Sequence, residues 1–222
     1  MSDSIRVKIC CIGSVEEAML AINYGASAVG LVSAMPSGPG VISEELIAEI
    51  VSVLPPGVSS FLLTSKQSSE EIIEQQKRTG VNTIQIVDRL IYGSYNDFKK
   101  ALPAVSIFQV IHVKDEGSTK EAIEVAPKVD GLLLDSGNQA LPVKQLGGTG
   151  RTHNWNISFN ICRSVNVPVF LAGGLNYENV ELAVKKVMPF GVDVCSGVRS
   201  NGRLDETKLS LFLGKIKNLQ AT

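Results

Sequence analysis

Short apolar runs rich in β-branched residues alternate along this chain with longer stretches whose apolar positions recur every three or four residues. A continuous short apolar run reads as a strand covered on both faces, and the longer periodic stretches read as amphipathic helices. The predicted strands are Ile5–Ile12, Ala28–Val32, Ser59–Leu63, Thr83–Val87, Ser106–His112, Gly131–Leu134, Pro168–Leu171 and Val192–Cys195. The helical patterns are Val15–Tyr24, Glu44–Leu54, Ser69–Thr79, Tyr95–Leu102, Thr119–Ala126, Ile157–Val165, Tyr177–Val187 and Asp205–Lys217. Ser43, Ser68-Ser69 and Asn176 stand as start signals before acidic first turns, and Gly25, Gly80 and Gly191 stand where helices should stop. Eight strand–helix units predict an α/β chain closed into a (β/α)₈ TIM barrel, with a doubly wound open sheet as the alternative. No linker or low-complexity stretch divides the chain, so a single barrel domain over 1–222 is expected.

Composition narrows the function classes. The 222 residues are 44% apolar and 19% charged with a formal net charge of −1, so no broad basic field invites nucleic acid or an acidic membrane surface. The N-terminus lacks a signal-peptide pattern and no apolar stretch reaches the roughly 18 residues of a membrane span, which makes the cytoplasm the expected compartment. The four cysteines, at 10, 11, 162 and 195, have no zinc-like spacing and are expected as reduced thiols, with Cys162 packed in a core. His112 and His153 likewise lack metal-site spacing; His112 is expected at a rim and Trp155 as packing for the sixth loop. Oligomeric state is not legible in the pattern.

Anion recognition must then be local, and three glycine-bearing turns offer it. Gly147-Gly148-Thr149-Gly150, Gly173-Gly174 and Ser196-Gly197 follow the predicted sixth, seventh and eighth strands in that order. Glycine lets backbone N–H groups converge on an anion because no Cβ bars close approach. Gly148, Gly150, Gly173, Gly174, Ser196 and Gly197 are therefore candidate phosphate ligands. The third and fourth strands end in Thr64-Ser65-Lys66 and Asp88-Arg89 without such a pair, which predicts one phosphate rather than two.

Reacting groups in a closed barrel sit at the C-terminal strand ends. Lys8 and Cys10, two residues apart, share a face, and with Val7, Ile9 and Cys11 facing the helices they would look into the barrel. Cys10 reads either as a reactive thiolate beside an ammonium or as a small buried hydrophobe. Asp135 closes the apolar run Leu132-Leu133-Leu134 and reads either as a proton-carrying carboxyl or as a loop cap. A base and an acid flanking a phosphate-anchored sugar is the layout of a proton-transfer isomerase.

These segments resemble the phosphoribosylanthranilate isomerase family of tryptophan biosynthesis. The resemblance is carried by Val7-Lys8-Ile9-Cys10, Leu133-Leu134-Asp135, the loop Gly147–Trp155, Leu171–Val180 and Val192–Val198, in the family's order and spacing. It implies an Amadori rearrangement of an aminoaldose to a 1-amino-1-deoxyketose without metal or organic cofactor, the partner being a small phosphorylated sugar. Asp135 would be the acid and Cys10 the base, with Lys8 and Gln85 at the substrate. The chain departs from the family pattern where an arginine is usual, at Gly40; at Ile86-Val87-Asp88, after a retained Gln85; and at Arg199, in place of a glutamate. Arg199 is expected to recover part of the missing cation's role, or else to serve as a loop charge or an extra phosphate contact. A diverged barrel that isomerises or binds another single-phosphate sugar is the alternative function.

Overall fold

The computed structural model describes residues 4–137 and 152–220. Eight parallel strands close into a barrel in chain order: β1 (Arg6–Ile9), β2 (Ala28–Val32), β3 (Ser59–Thr64), β4 (Thr83–Ile86), β5 (Ser106–His112), β6 (Gly131–Asp135), β7 (Val169–Leu171) and β8 (Gly191–Val194). Closure is made by β1 against β8, in a register that sets Lys8 opposite Asp193 and Ile9 opposite Val194. The helices α1 (Val15–Tyr24), α2 (Glu44–Val53), α3 (Ser69–Thr79), α4 (Tyr95–Ala101), α5 (Gly117–Val125), α6 (Trp155–Ser164), α7 (Val180–Val187) and α8 (Glu206–Gln220) each follow the barrel strand of the same number. A short hairpin, β9 (Arg199–Ser200) with β10 (Arg203–Leu204), precedes α8 and has no apolar run to announce it.

Local chemistry sets most boundaries. The Ser14 and Ser43 side chains accept from the Glu17 and Leu46 backbone N–H groups, capping α1 and α2. Gly25 and Gly80 end α1 and α3 in the left-handed region, at φ 108° and 69°. Two expected signals act differently. Asn176 does not start α7; its side chain accepts from Glu178 and Asn179 N–H in a turn, and Asn179 begins the helix. Gly191 does not stop α7, which ends at Met188 with φ 52°, but opens β8. Gly191 is small because a Cβ there would lie 2.6 Å from the Phe170 ring.

Two apolar layers follow from the alternation. Val7, Ile9, Leu31, Ile84, Ile111 and Leu134 face the helices in the outer core. Inside the barrel Phe61, Phe108 and Phe170 meet edge to face, with centroids 5.1, 5.8 and 5.9 Å apart. They fill the barrel interior between the C-terminal mouth and a second cavity, at the N-terminal strand ends, that the same three rings line. The strand β1 stops earlier than its apolar run because Cys11 takes φ 62° and leaves the pleat.

Candidate active site

A cleft of about 670 Å³, its open mouth included, lies over the C-terminal strand ends, and Cys10, Gln85, Asp135, Gly173, Gly174 and Ser196 line it. Cys10 follows β1, buried to 6% exposure, and its N–H bonds Val194 O at 2.8 Å. Asp135 ends β6. Strands β8 and β7 separate the two around the ring, so thiol and carboxyl approach the cleft from different sides.

Lys8 does point into the barrel, but one layer below the cleft. It is fully buried, with Nζ 2.9 Å from Asp193 Oδ1 and 5.2 Å from the Phe61 ring centroid. Burial alone would push the ammonium down; the charge of Asp193, then Cys10, and the Asp193 hydrogen bond outweigh it and hold its pKa above the ordinary value. A Cβ on Gly30 would come 2.9 Å from Cys10 Sγ and 3.0 Å from Lys8 Nζ, so sulfur and ammonium are neighbours over that glycine. Lys8 is thus a fixed positive charge beneath the Cys10 thiol and is not among the residues lining the cleft.

Burial pushes the Asp135 carboxyl above its ordinary value, against the opposing pull of the Ser136 N–H bond at 2.7 Å and of His112. His112, expected at a rim, is buried opposite Asp135 in the β5–β6 register, its Nε2 2.9 Å from Val87 O. A Cβ on Gly173 would meet His153 Nδ1 at 3.1 Å, Asp135 Oδ1 at 3.2 Å and Ser136 Oγ at 3.2 Å. Gly173, at φ 85°, is therefore required by conformation and by space where acid and turn meet. His153 bonds Ser158 Oγ through Nε2 at 2.6 Å, and its buried Nδ1 has no partner among the described residues. The same burial pulls the imidazole down to about 4.

The turns after β7 and β8 are one unit. Asn176 and Gly197 form a bridge, and any Cβ on Gly197 would collide with Leu175 O. Gly173, Gly174, Ser196 and Gly197 are thereby brought together on one side of the mouth. Gly148 and Gly150 lie outside the described residues.

Two other residues stand elsewhere than the sequence suggested. Cys11 does not face the helices; its left-handed backbone turns it inward beside Cys10. Arg199 does not enter the cleft. Its guanidinium donates to both Glu17 carboxylate oxygens at 3.1 and 3.0 Å, to Gly202 O at 3.0 Å, to Cys10 O at 3.3 Å and to Cys11 O. It braces the β1 loop from behind, both terminal nitrogens engaged and Nε buried, and it is not an exposed loop charge. Asp193 and Cys195, which also line the cleft, were not singled out in the sequence. The signal for Asp193 lay in its pairing with Lys8, which only closure of β8 onto β1 creates. Among the described residues, no group of three or more His, Cys, Asp or Glu side chains is arranged to hold a metal ion.

A closed (β/α)₈ barrel with glycine turns after β7 and β8, and with a thiol and a carboxyl on one cleft at the C-terminal strand ends, defines the class as a (β/α)₈-barrel enzyme. The family model described as N-(5'phosphoribosyl)anthranilate (PRA) isomerase matches residues 7–215. The N-(5'-phosphoribosyl)anthranilate isomerase 2 of Methanosarcina mazei is 36% identical over 216 residues, 96% of this chain and 95% of that protein. The isomerase of Haloferax volcanii is 33% identical, covering 96% and 93%. Among solved structures, phosphoribosyl anthranilate isomerase of Thermotoga maritima superposes with TM-score 0.81 at 28% identity, covering 96% of this chain and 99% of that one. Another, complexed with reduced 1-(o-carboxyphenylamino)-1-deoxyribulose 5-phosphate, does so with TM-score 0.79 at 27% identity and the same coverage. The chain belongs to the N-(5'-phosphoribosyl)anthranilate isomerase family.

Proposed function

We propose that this chain, as one barrel domain, isomerises N-(5'-phosphoribosyl)anthranilate to the corresponding 1-amino-1-deoxyribulose 5-phosphate. The observation that carries the reading is the meeting of Cys10, Asp135 and the joined β7–β8 turns on one cleft, in a chain that the family model spans from residue 7 to 215. The Gly173-Gly174 and Ser196-Gly197 turns hold the phosphate, so binding energy remote from the chemistry positions the sugar. Asp135, whose protonated form burial favours, gives its proton to the furanose ring oxygen as the ring opens. Cys10 then takes the proton from C2, and the resulting enolamine tautomerises to the ketone. Lys8 sets a positive charge below the Cys10 sulfur, and Asp193 holds Lys8 in place. The substrate is a small phosphorylated sugar, and we place the reaction in the cytoplasm, with no membrane or nucleic acid involved. Among the described residues no helix is long and apolar enough to cross a membrane.

The test is the loss of anthranilate fluorescence when purified protein meets freshly generated substrate, with Cys10→Ala as control. Turnover that this substitution abolishes supports the isomerase. A second reading, a barrel acting on another single-phosphate sugar, is favoured by one observation. No lysine or arginine stands among the described residues lining the cleft to face a substrate carboxylate. Folded protein that inorganic phosphate stabilises but that leaves the anthranilate fluorescence unchanged would support that second reading.

A further inference from the structure

We propose that Cys11 and Cys195 form a reversible dithiol–disulfide site at the barrel mouth, one that reacts with low-molecular-weight disulfides and disables the cleft when oxidised. The two sulfurs lie 2.7 Å apart although 184 residues separate them in sequence, and all four cysteines are unbridged. Closure of the barrel makes the approach, since Cys11 and Cys195 follow the paired strand ends Ile9 and Val194. Three features hold it. The left-handed backbone of Cys11, uncommon for a residue with a Cβ, turns the side chain inward. Gly40 carries no side chain to compete for the space. Arg199 clamps the Cys10 and Cys11 carbonyls from behind.

The chemistry follows from exposure. Both Cys11 and Cys195 line the cleft, but Cys195 is half-buried whereas Cys11 is only 6% exposed. The hydrogen bond between Cys11 and Cys195, then the nearby Arg199 charge, pull the Cys195 thiol down against its burial, while hydrogen bonding with Cys10 and Cys195 and burial push that of Cys11 up. Cys195 thiolate is thus the first attacker on an incoming disulfide, whose S–S bond breaks to leave one thiol in solution and a mixed disulfide on Cys195. Cys11 then attacks the Cys195 sulfur and expels the second thiol. The protein loses two electrons and two protons; the small disulfide gains both as two thiols. The new bond ties the residue after Cys10 to the residue before Ser196, so either partner's movement carries a cleft residue with it.

Loss of turnover on oxidation rests on the isomerase reading, but formation of the disulfide does not. The experiment is therefore a thiol count made alongside the assay. The protein is incubated with oxidised dithiothreitol or oxidised glutathione, alkylated, unfolded, counted and mapped by peptide mass. We expect two of the four thiols to disappear, a linked Cys11–Cys195 peptide pair, and recovery of both thiols and turnover with reduced dithiothreitol. Cys11→Ser and Cys195→Ser should each abolish that paired loss. Four thiols remaining after oxidation, a linkage through Cys10 or Cys162, or the same paired loss in Cys195→Ser would overturn the site. Unchanged turnover by the mapped disulfide form would overturn its effect on the cleft. Protein inactive before oxidation would fail the isomerase reading alone, with the thiol map still deciding the site.

Discussion

A Cβ built on Gly40 would lie 2.5 Å from the Cys11 Cβ and 3.0 Å from its Cα. Gly40 also has φ 78°, so its lack of a side chain answers both to conformation and to the space that Cys11 has taken. An arginine cannot simply be restored at that position. We expect Gly40→Ala to cost roughly 1–3 kcal/mol, through overpacking and backbone strain. In a Cys11→Gly background the same change should cost clearly less, because glycine vacates the space. Thermal melts of the four proteins give this coupling directly. Equal costs in both backgrounds would show that the two positions do not compete.

Asp135 should trade stability against chemistry. Burial raises its folded pKa, so folding favours the protonated carboxyl. That contribution is full below the ordinary carboxyl pKa and is lost as pH rises through the raised folded value. Asp135→Asn, neutral at every pH, should therefore melt higher than the parent at about pH 8 and no higher at about pH 4. Turnover should fall by about 10²–10⁴-fold, the range of a positioned general acid. Melting curves at the two pH values, with the fluorescence assay at neutral pH, check both parts.

His153 should make the fold acid-sensitive in a separate window. Its folded pKa is about 4 against 6.5 for an ordinary imidazole, because burial disfavours the charged ring. Below pH 6.5 the unfolded chain takes up a proton that the folded chain refuses, so stability rises with pH across this window and is full above it. Roughly 2–3 kcal/mol should be lost between about pH 6.5 and pH 4. His153→Phe should flatten that slope even if it costs stability at neutral pH by leaving Ser158 Oγ without its partner. Urea unfolding at several pH values would show an unchanged slope if the imidazole is not responsible.

The Lys8–Asp193 pair should be far costlier to break than to replace. With both side chains buried, removing one partner leaves a charge in the barrel with no compensation. Lys8→Met is expected to cost about 3–5 kcal/mol, and Lys8→Met with Asp193→Leu should recover much of it. Denaturant midpoints measure this. A double variant no better than the single would mean that packing, and not charge pairing, dominates the site.

Much of the molecule was legible in the sequence, for reasons that particular residues make plain. Strands β2 and β5 have the expected limits, since strands buried on both faces are mainly apolar, with Gln109 and His112 the buried polar exceptions in β5. Helices α1 and α3 also match, because Gly25 and Gly80 mark C-terminal turns that favour a left-handed residue. Cys10, Asp135 and the glycine turns were visible because they interrupt apolar runs at strand ends, where packing alone does not call for a thiol, a carboxyl or a glycine pair. The start of α7 and the role of Gly191 were misread, though the limit at Val187 was right, because Asn176 and Gly191 carry the chemistry of caps while serving a turn and an aromatic contact.

What the tertiary structure decided is how these marks combine. Local pattern dictates periodicity, caps and the order of strand ends, because those depend on neighbours within a few residues. It says nothing of which side chains meet across the closing seam. The Lys8–Asp193 pair and the Cys11–Cys195 contact exist only because β8 docks on β1. Arg199 turned from a cleft residue into a brace for the same reason. A cation's partners are set by where the chain returns, and here it returns beside Glu17 and the carbonyls of Cys10 and Cys11.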